Sequence, residues 1–179
     1  MFKIILGSAA VVIVVAVAVV LILAARKPDV FRIERTASIK AAPEAIFPFI
    51  NDFHRWGAWS PWEVKDPAMT RTFSGPDSGT GSAYAWEGNK DVGKGRMQIT
   101  EAVAPSRIAL DLDFEKPFEA HNKVEFTLVE SAGTTTVTWV MHGPTPFFSK
   151  IFHVFMDMDK LVGADFEAGL AKLRAAAGG

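Results

Sequence analysis

The order of apolar and polar positions divides this chain into three stretches. Ile4 to Ala25 is apolar throughout, apart from Gly7 and Ser8. A run of that length can cross a hydrocarbon core of ~30 Å as a helix. From Phe31 the pattern has period two: Phe31, Ile33, Ala37 and Ile39 alternate with Arg32, Glu34 and Ser38, as in a half-buried strand. From Thr145 to Arg174 the period is helical. Phe148, Ile151, Phe152, Phe155, Val162, Phe166, Leu170 and Leu173 form one stripe, and Phe147, Ile151, Val154, Met158 and Leu161 widen its first half until it is apolar nearly all round. Such a segment has to be enclosed, either as an ordinary core helix or as one that also lines a ligand cavity. Thr145 before Pro146 predicts an N-cap followed by proline at the first helical position. Gly163 and Gly169 each cost ~1 kcal/mol against alanine inside a helix. They predict a kink or a close approach, and so two helical pieces.

Between these ends, Ala42-Pro43-Glu44 opens a short helix through Phe47 to Ile50, which Asn51 and Asp52 interrupt. The densest aromatic run follows, Phe53 to Trp62. Trp56 and Trp59 share one face of a helical turn, and Pro61 stops that turn and throws Trp62 across. An aromatic plug beneath a sheet is the favoured reading, because tryptophans bury large areas and need one partner for the indole N–H. A pocket rim or a membrane-interface contact is the rival. Six further strands are predicted with turn signals between them: Met69–Ser74, Ser82–Glu87, Lys94–Val103, Arg107–Glu115, Phe118–Val129 and Thr134–His142. Met97, Ile99 and Val103 are assigned to one face, and Phe118 is placed inward with Val124, Phe126 and Leu128. Two polar residues fall on apolar faces, Arg35 and Asn122. Arg35 either snorkels at a sheet end or is a polar fixture of a cavity. The whole reads as α+β, a curved antiparallel sheet wrapped on a long C-terminal helix.

Composition narrows the partners. Of 19 basic groups, Lys3, Arg26 and Lys27 lie in residues 1–27, which hold no acid; the remaining 16 face 20 acidic groups, a formal charge of −4. A nucleic-acid partner would want a basic face and is not expected. The chain has no cysteine, so disulfides, thiolate chemistry and cysteine-bound metal are excluded. For the first stretch, a transmembrane anchor over residues 1–27 is preferred to a cleavable signal peptide. The apolar run is too long, and Leu23-Ala24-Ala25 lacks the small residue that cleavage needs. Arg26, Lys27, Arg32 and Arg35 against Lys3 and the α-amino group lean towards a cytoplasmic domain. Lys27-Pro28-Asp29-Val30 spans at most ~14 Å, which predicts a domain over 28–179 held at a membrane surface.

Three local pieces carry a resemblance: Ala42-Pro43-Glu44-Ala45-Ile46-Phe47, the run from Asn51-Asp52-Phe53-His54-Arg55-Trp56 to Trp59-Ser60-Pro61-Trp62, and Val137-Thr138-Trp139 leading to Gly143-Pro144. With the element order, they make Phe31 to Leu173 similar to the helix-grip fold of the SRPBCC superfamily (START-like domains), in its bacterial polyketide cyclase/dehydrase and lipid transport branch. The resemblance implies a cavity between sheet and C-terminal helix that holds an apolar ligand, and a fold alone assigns no reaction. The candidates for that cavity are Arg35, Trp56, Trp59, Trp62, Tyr84, Trp86, Asn122, Trp139, Phe155, Met158 and Val162.

Catalytic signals are thin. His54, His121, His142 and His153 make no metal pair, and neither a metal nor a cofactor is expected. Asp157 and Asp159, two apart on a helix, face different ways and read as solvated. Gly79-Thr80-Gly81 and Gly93-Lys94-Gly95 precede strands, so phosphate-binding readings fail. Tyr84, the single tyrosine, is a candidate acid for a cyclase with no partner visible in the sequence. Three functions stay open. They are a membrane-tethered binding or transfer module for a hydrophobic, lipid-like small molecule; a cyclase- or dehydratase-like enzyme on an apolar substrate; and a ligand-free interaction domain at a membrane surface.

Overall fold

The computed structural model describes the backbone of residues 2–178 and the side chains of residues 11–178. The chain divides into two compact units, Met1–Phe31 with Pro144–Met158, and Arg32–Gly143 with Asp159–Gly179.

The larger unit is built on one seven-stranded antiparallel sheet, ordered β1-β7-β6-β5-β4-β3-β2. Its strands are β1 (Val30–Ile39), β2 (Thr70–Ser74), β3 (Ala83–Glu87), β4 (Lys94–Val103), β5 (Arg107–Lys116), β6 (Ala120–Ser131) and β7 (Thr134–Pro144). From β2 to β7 each strand pairs with the next, as hairpin-length connections dictate. The link from β1 to β2 carries α2 (Pro43–Asn51) and two 3-10 turns, Phe53–Ala58 and Pro61–Val64. After β7 come α3 (Phe147–Phe155) and α4 (Met158–Ala176). This α+β order fits the helix-grip arrangement.

α4 grips the sheet through Gly163, Phe166, Gly169, Leu170 and Leu173, its buried residues. Burying Phe166, Leu170 and Leu173 contributes roughly 1.5–3 kcal/mol each. Both glycines serve close approach. A Cβ at Gly169 would lie 3.0 Å from Pro61 Cδ and from Trp139 Cζ3. A Cβ at Gly163 would land on the guanidinium of Arg35.

That guanidinium is the polar fixture of β1. Its Nε donates to Glu167 Oε1 at 2.7 Å, Nη1 to Asp159 Oδ1 at 3.0 Å and to the Glu34 carbonyl at 2.8 Å, and Nη2 to Asp159 Oδ2 at 3.0 Å and to the Asp159 carbonyl at 2.9 Å. All five N–H donors of the fork are used. Asp159 is exposed, as expected, and is also the partner of Arg35, whose hydrogen bond holds its carboxyl below the usual carboxylate range.

Other expectations are corrected. The C-terminal segment is two helices, but the break falls at residues 156–157, not at either glycine. Thr145 does not cap α3: Pro146 occupies the N-cap position without a side-chain cap bond, and the Thr145 N–H donates to the Asp29 carbonyl at 2.7 Å. Phe118 lies before β6 and is 64% exposed. Val103 is exposed because the β4–β5 register shifts between Ile99 and Glu101, which turns the residues beyond the bulge to the other face.

In the smaller unit, α1 (Phe2–Ala25) packs against α3. Among the described residues, no helix is long and apolar enough to cross a membrane. The expected transmembrane helix reaches into residues 1–10, whose side chains, Lys3 included, lie outside the described residues.

The Arg35 clamp makes a prediction. Alanine at Gly163 favours the helix by up to ~1 kcal/mol but displaces the guanidinium, so Gly163→Ala alone lowers the thermal midpoint. In an Arg35→Ala background the same change raises it, a sign reversal readable by near-UV circular dichroism.

Candidate functional site

The site is built on the inward face of the sheet in the larger unit. Period-two alternation points Tyr84 and Trp86 of β3, Met97 and Ile99 of β4, Leu110, Leu112 and Phe114 of β5, Asn122, Val124 and Phe126 of β6, and Trp139 and Met141 of β7 to one side. Coverage differs along this face. Leu110, Val124, Phe126 and Trp139 are at most 4% exposed, whereas Leu112 and Phe114, two and four residues further along β5, stay half-exposed.

The covered part is an aromatic plug. Trp59 is fully buried, and its Nε1 donates to the Phe49 carbonyl at 2.8 Å; Trp56 Nε1 donates to the Ile50 carbonyl at 3.0 Å. Trp59 meets Trp139 edge-on at 5.4 Å, and Phe166 stacks flat on Trp139 at 3.9 Å. Trp62, half-buried, closes the cluster against Trp139 and Phe166 at 5.8 and 6.2 Å. The indole of Trp56 in the 3-10 turn and that of Trp59, its C-cap, are thus both anchored to α2 carbonyls. Trp86 is tied likewise, its Nε1 donating to the Val92 carbonyl at 2.9 Å.

Three polar groups interrupt this apolar surface. Tyr84 O–H donates to Glu63 Oε1 at 2.8 Å, while Arg71 Nε donates to Glu63 Oε2 at 2.8 Å. The Glu63 side chain is 11% exposed and has both oxygens engaged. Burial first, then the hydrogen bond with Glu63, pushes the Tyr84 hydroxyl well above its ordinary range. Asn122 is 6% exposed and sits against Gly143, where a Cβ would collide with its Oδ1. The indole Nε1 of Trp139 is buried and finds no hydrogen-bond partner among the described residues.

The sequence candidates therefore separate. Tyr84, Trp86, Asn122 and Trp139 share the inward face of the sheet, and Trp56, Trp59 and Trp62 build the plug. Val162 is half-buried on α4, and Arg35 is spent on holding that helix. Phe155 and Met158 fall in the smaller unit. Two polar residues were missed, Glu63 and Arg71. Arg71 alternates with Met69 and Phe73 and so shared an apolar face, a readable signal; Glu63 lies in a 3-10 turn, where no periodicity marks its side. Among the described residues, no cluster of histidine or carboxylate groups could hold a metal.

Residues 30–178 match the model of a protein family described as polyketide cyclase / dehydrase and lipid transport. The chain belongs to this family. Solved structures place the fold in the same company. Ginseng major latex-like protein 151 from Panax ginseng is 10% identical with a TM-score of 0.62, over 85% of this chain and 100% of that one. A solution structure from Thermobifida fusca is 17% identical with a TM-score of 0.61, over 82% and 93%. Protein CV1439 from Chromobacterium violaceum is 15% identical with a TM-score of 0.57, over 83% and 96%. At such identities the likeness concerns the fold alone. No curated protein matches the chain. The family implies binding of hydrophobic small molecules or cyclase-like use of the same fold.

Tyr84 supplies a pH prediction for this family member. Its ordinary value is 10.0 and the folded state raises it. The unfolded chain therefore loses that proton first, so stability is at full strength below pH 10 and declines as pH rises towards the folded value. Tyrosinate absorbance at 295 nm should stay flat through pH 10 while the protein is folded. In Tyr84→Phe the alkaline loss of stability should shrink, with a penalty of about 1 kcal/mol at neutral pH for the lost hydrogen bond.

Proposed function

We propose that this member of the family holds an apolar, lipid-like molecule on the inward face of its sheet, as a binding or transfer module. One observation carries the reading: the face leaves Leu112 and Phe114 half-exposed beside the buried amide of Asn122. An apolar surface with a single orienting hydrogen bonder suits a ligand that is mostly hydrocarbon with one polar end. Acid–base chemistry finds less support. The best candidate acid, Tyr84, has its proton committed to Glu63 and its ionisation pushed up, whereas a catalytic acid works best with a pKa near the operating pH. A cyclase-like reaction is therefore the weaker reading.

The proposal includes a membrane. Val11, Val12, Ile13, Val14, Val15, Val17, Val19 and Leu21 are all more than 40% exposed, around the full circumference of α1. A helix apolar on every side needs apolar surroundings, and 24 residues extend for ~36 Å. A single-pass anchor would keep the module beside the phase in which such ligands dissolve and raise its effective concentration there.

The test is native mass spectrometry of the full chain released from its membrane, searching for co-purified small molecules. Expected is a bound species of lipid-like mass. Leu112→Trp, which fills the half-open part of the face, should lower its occupancy about tenfold, the equivalent of ~1.4 kcal/mol, while the circular dichroism spectrum is unchanged. A chain that carries no ligand and takes up none from lipid vesicles would defeat the proposal. Asn122→Leu should alter which lipid is retained more than it alters the unfolding midpoint.

A further inference from the structure

α3 is nine residues long, and its surface is divided sharply. Lys150 is buried and Ile151 and Val154 are half-buried, whereas Phe147, Phe148, Phe152 and Phe155 are 49%, 60%, 41% and 71% exposed. Met156, just past the helix end, is 46% exposed. Phe148, Phe152 and Phe155 follow one another at i, i+4 and i+7, a single stripe. A contiguous apolar patch of this kind marks a surface that meets either another molecule or a lipid phase.

The position of α3 within its own unit selects between these. The helix packs against α1 and is fastened to the four-residue stretch that follows α1. Lys150 Nζ reaches Asp29 Oδ1 at 2.5 Å, and the Thr145 N–H donates to the Asp29 carbonyl at 2.7 Å. His153 stands close enough to Lys27 for that charge, after desolvation, to help hold its imidazole pKa below the ordinary value. α3 is therefore pinned at the level where the apolar run of α1 gives way to Arg26, Lys27 and Asp29. If α1 spans a bilayer, that level is the headgroup boundary. There an amphipathic helix lies with its apolar face sunk among the upper acyl chains, and basic residues face the lipid phosphates.

We propose that α3 is an interfacial helix whose phenylalanine stripe inserts into the same bilayer leaflet from which α1 emerges. The partner is a lipid surface. This inference rests on reading α1 as a membrane anchor. Together the two helices would form a two-point attachment, one segment crossing the bilayer and one lying in its plane, which a single tether does not provide.

The chain contains no cysteine, so single labels can be introduced cleanly. The full chain is reconstituted in phosphatidylcholine–phosphatidylglycerol vesicles with an environment-sensitive fluorophore at Phe155→Cys, Val15→Cys or, as an exposed control, Ser131→Cys. Quenching is measured with aqueous iodide and with nitroxide carried on the lipid chain, shallow or deep. Expected at position 155 is blue-shifted emission, severalfold less iodide quenching than at 131, and quenching by the shallow nitroxide. Val15 should respond to the deep nitroxide. If 155 quenches with iodide as freely as 131, the inference is overturned. If 155 is shielded from iodide yet insensitive to lipid nitroxide, a protein surface covers the stripe and the inference is equally overturned. Failure of Val15 to meet the deep nitroxide sinks the anchor reading itself, which separates the two failures.

Discussion

The face-to-face stack of Phe166 on Trp139 sets the spacing on which the larger unit depends. With centroids 3.9 Å apart and 7° between planes the rings stack face to face, which holds α4 against β7, the strand next to the β1 edge of the sheet. Gly169, three residues on, favours that contact, since a Cβ there would press on Trp139 and Pro61 at 3.0 Å. Pro61 in turn opens the 3-10 turn that carries Trp62 and Glu63. One helix–sheet distance thus decides where the plug closes and which side chains further along are left half-covered. The Arg35 fork is the polar counterpart of the stack, one turn earlier on α4 and equally dependent on a glycine.

The polar groups of the inward face are largely engaged with one another. Glu63 satisfies Tyr84 and Arg71 together, so the buried carboxylate is neutralised and hydrogen-bonded on both oxygens, as a buried charge requires. Such a group orders the β2–β3 edge of the sheet. Reactivity would need a proton free to leave or arrive, and Tyr84 is biased against that. Asn122 and Trp139 differ: each is buried on the inward face, and neither belongs to an ion pair. Asn122 lies opposite the half-exposed Leu112, whereas Trp139 is enclosed within the plug.

The smaller unit uses the same residue types for another purpose. Phe166, the one phenylalanine of α4, is buried, while the four of α3 are exposed, though both helices belong to one apolar stripe in the sequence. The difference follows from what each helix packs on. α4 faces the aromatic side of a sheet; α3 faces a second helix, which can cover only one side of it. The salt bridge of Lys150 with Asp29 then fixes which side that is.

Strands and their order were legible because alternation is a local property. Six of the seven begin within one residue of the expected position; β6 begins at Ala120, not Phe118, since only tertiary pairing with Phe114 defines its first residue. The family was legible as well, from the aromatic run and the proline and tryptophan positions around it. Lost were the things that depend on distance between remote segments. Asp159 is solvated as the sequence suggests, but its pairing with Arg35, 124 positions away, was not legible. Tyr84 looked isolated until Glu63 was brought over it by a turn without periodicity. Gly163 and Gly169 signalled a kink or a close approach, and only packing decided for the approach, because the segment breaks at 156–157 instead. Hydrophobic pattern determines which face of an element turns inward; how near two inward faces come, and which polar groups meet there, is decided by the packing itself.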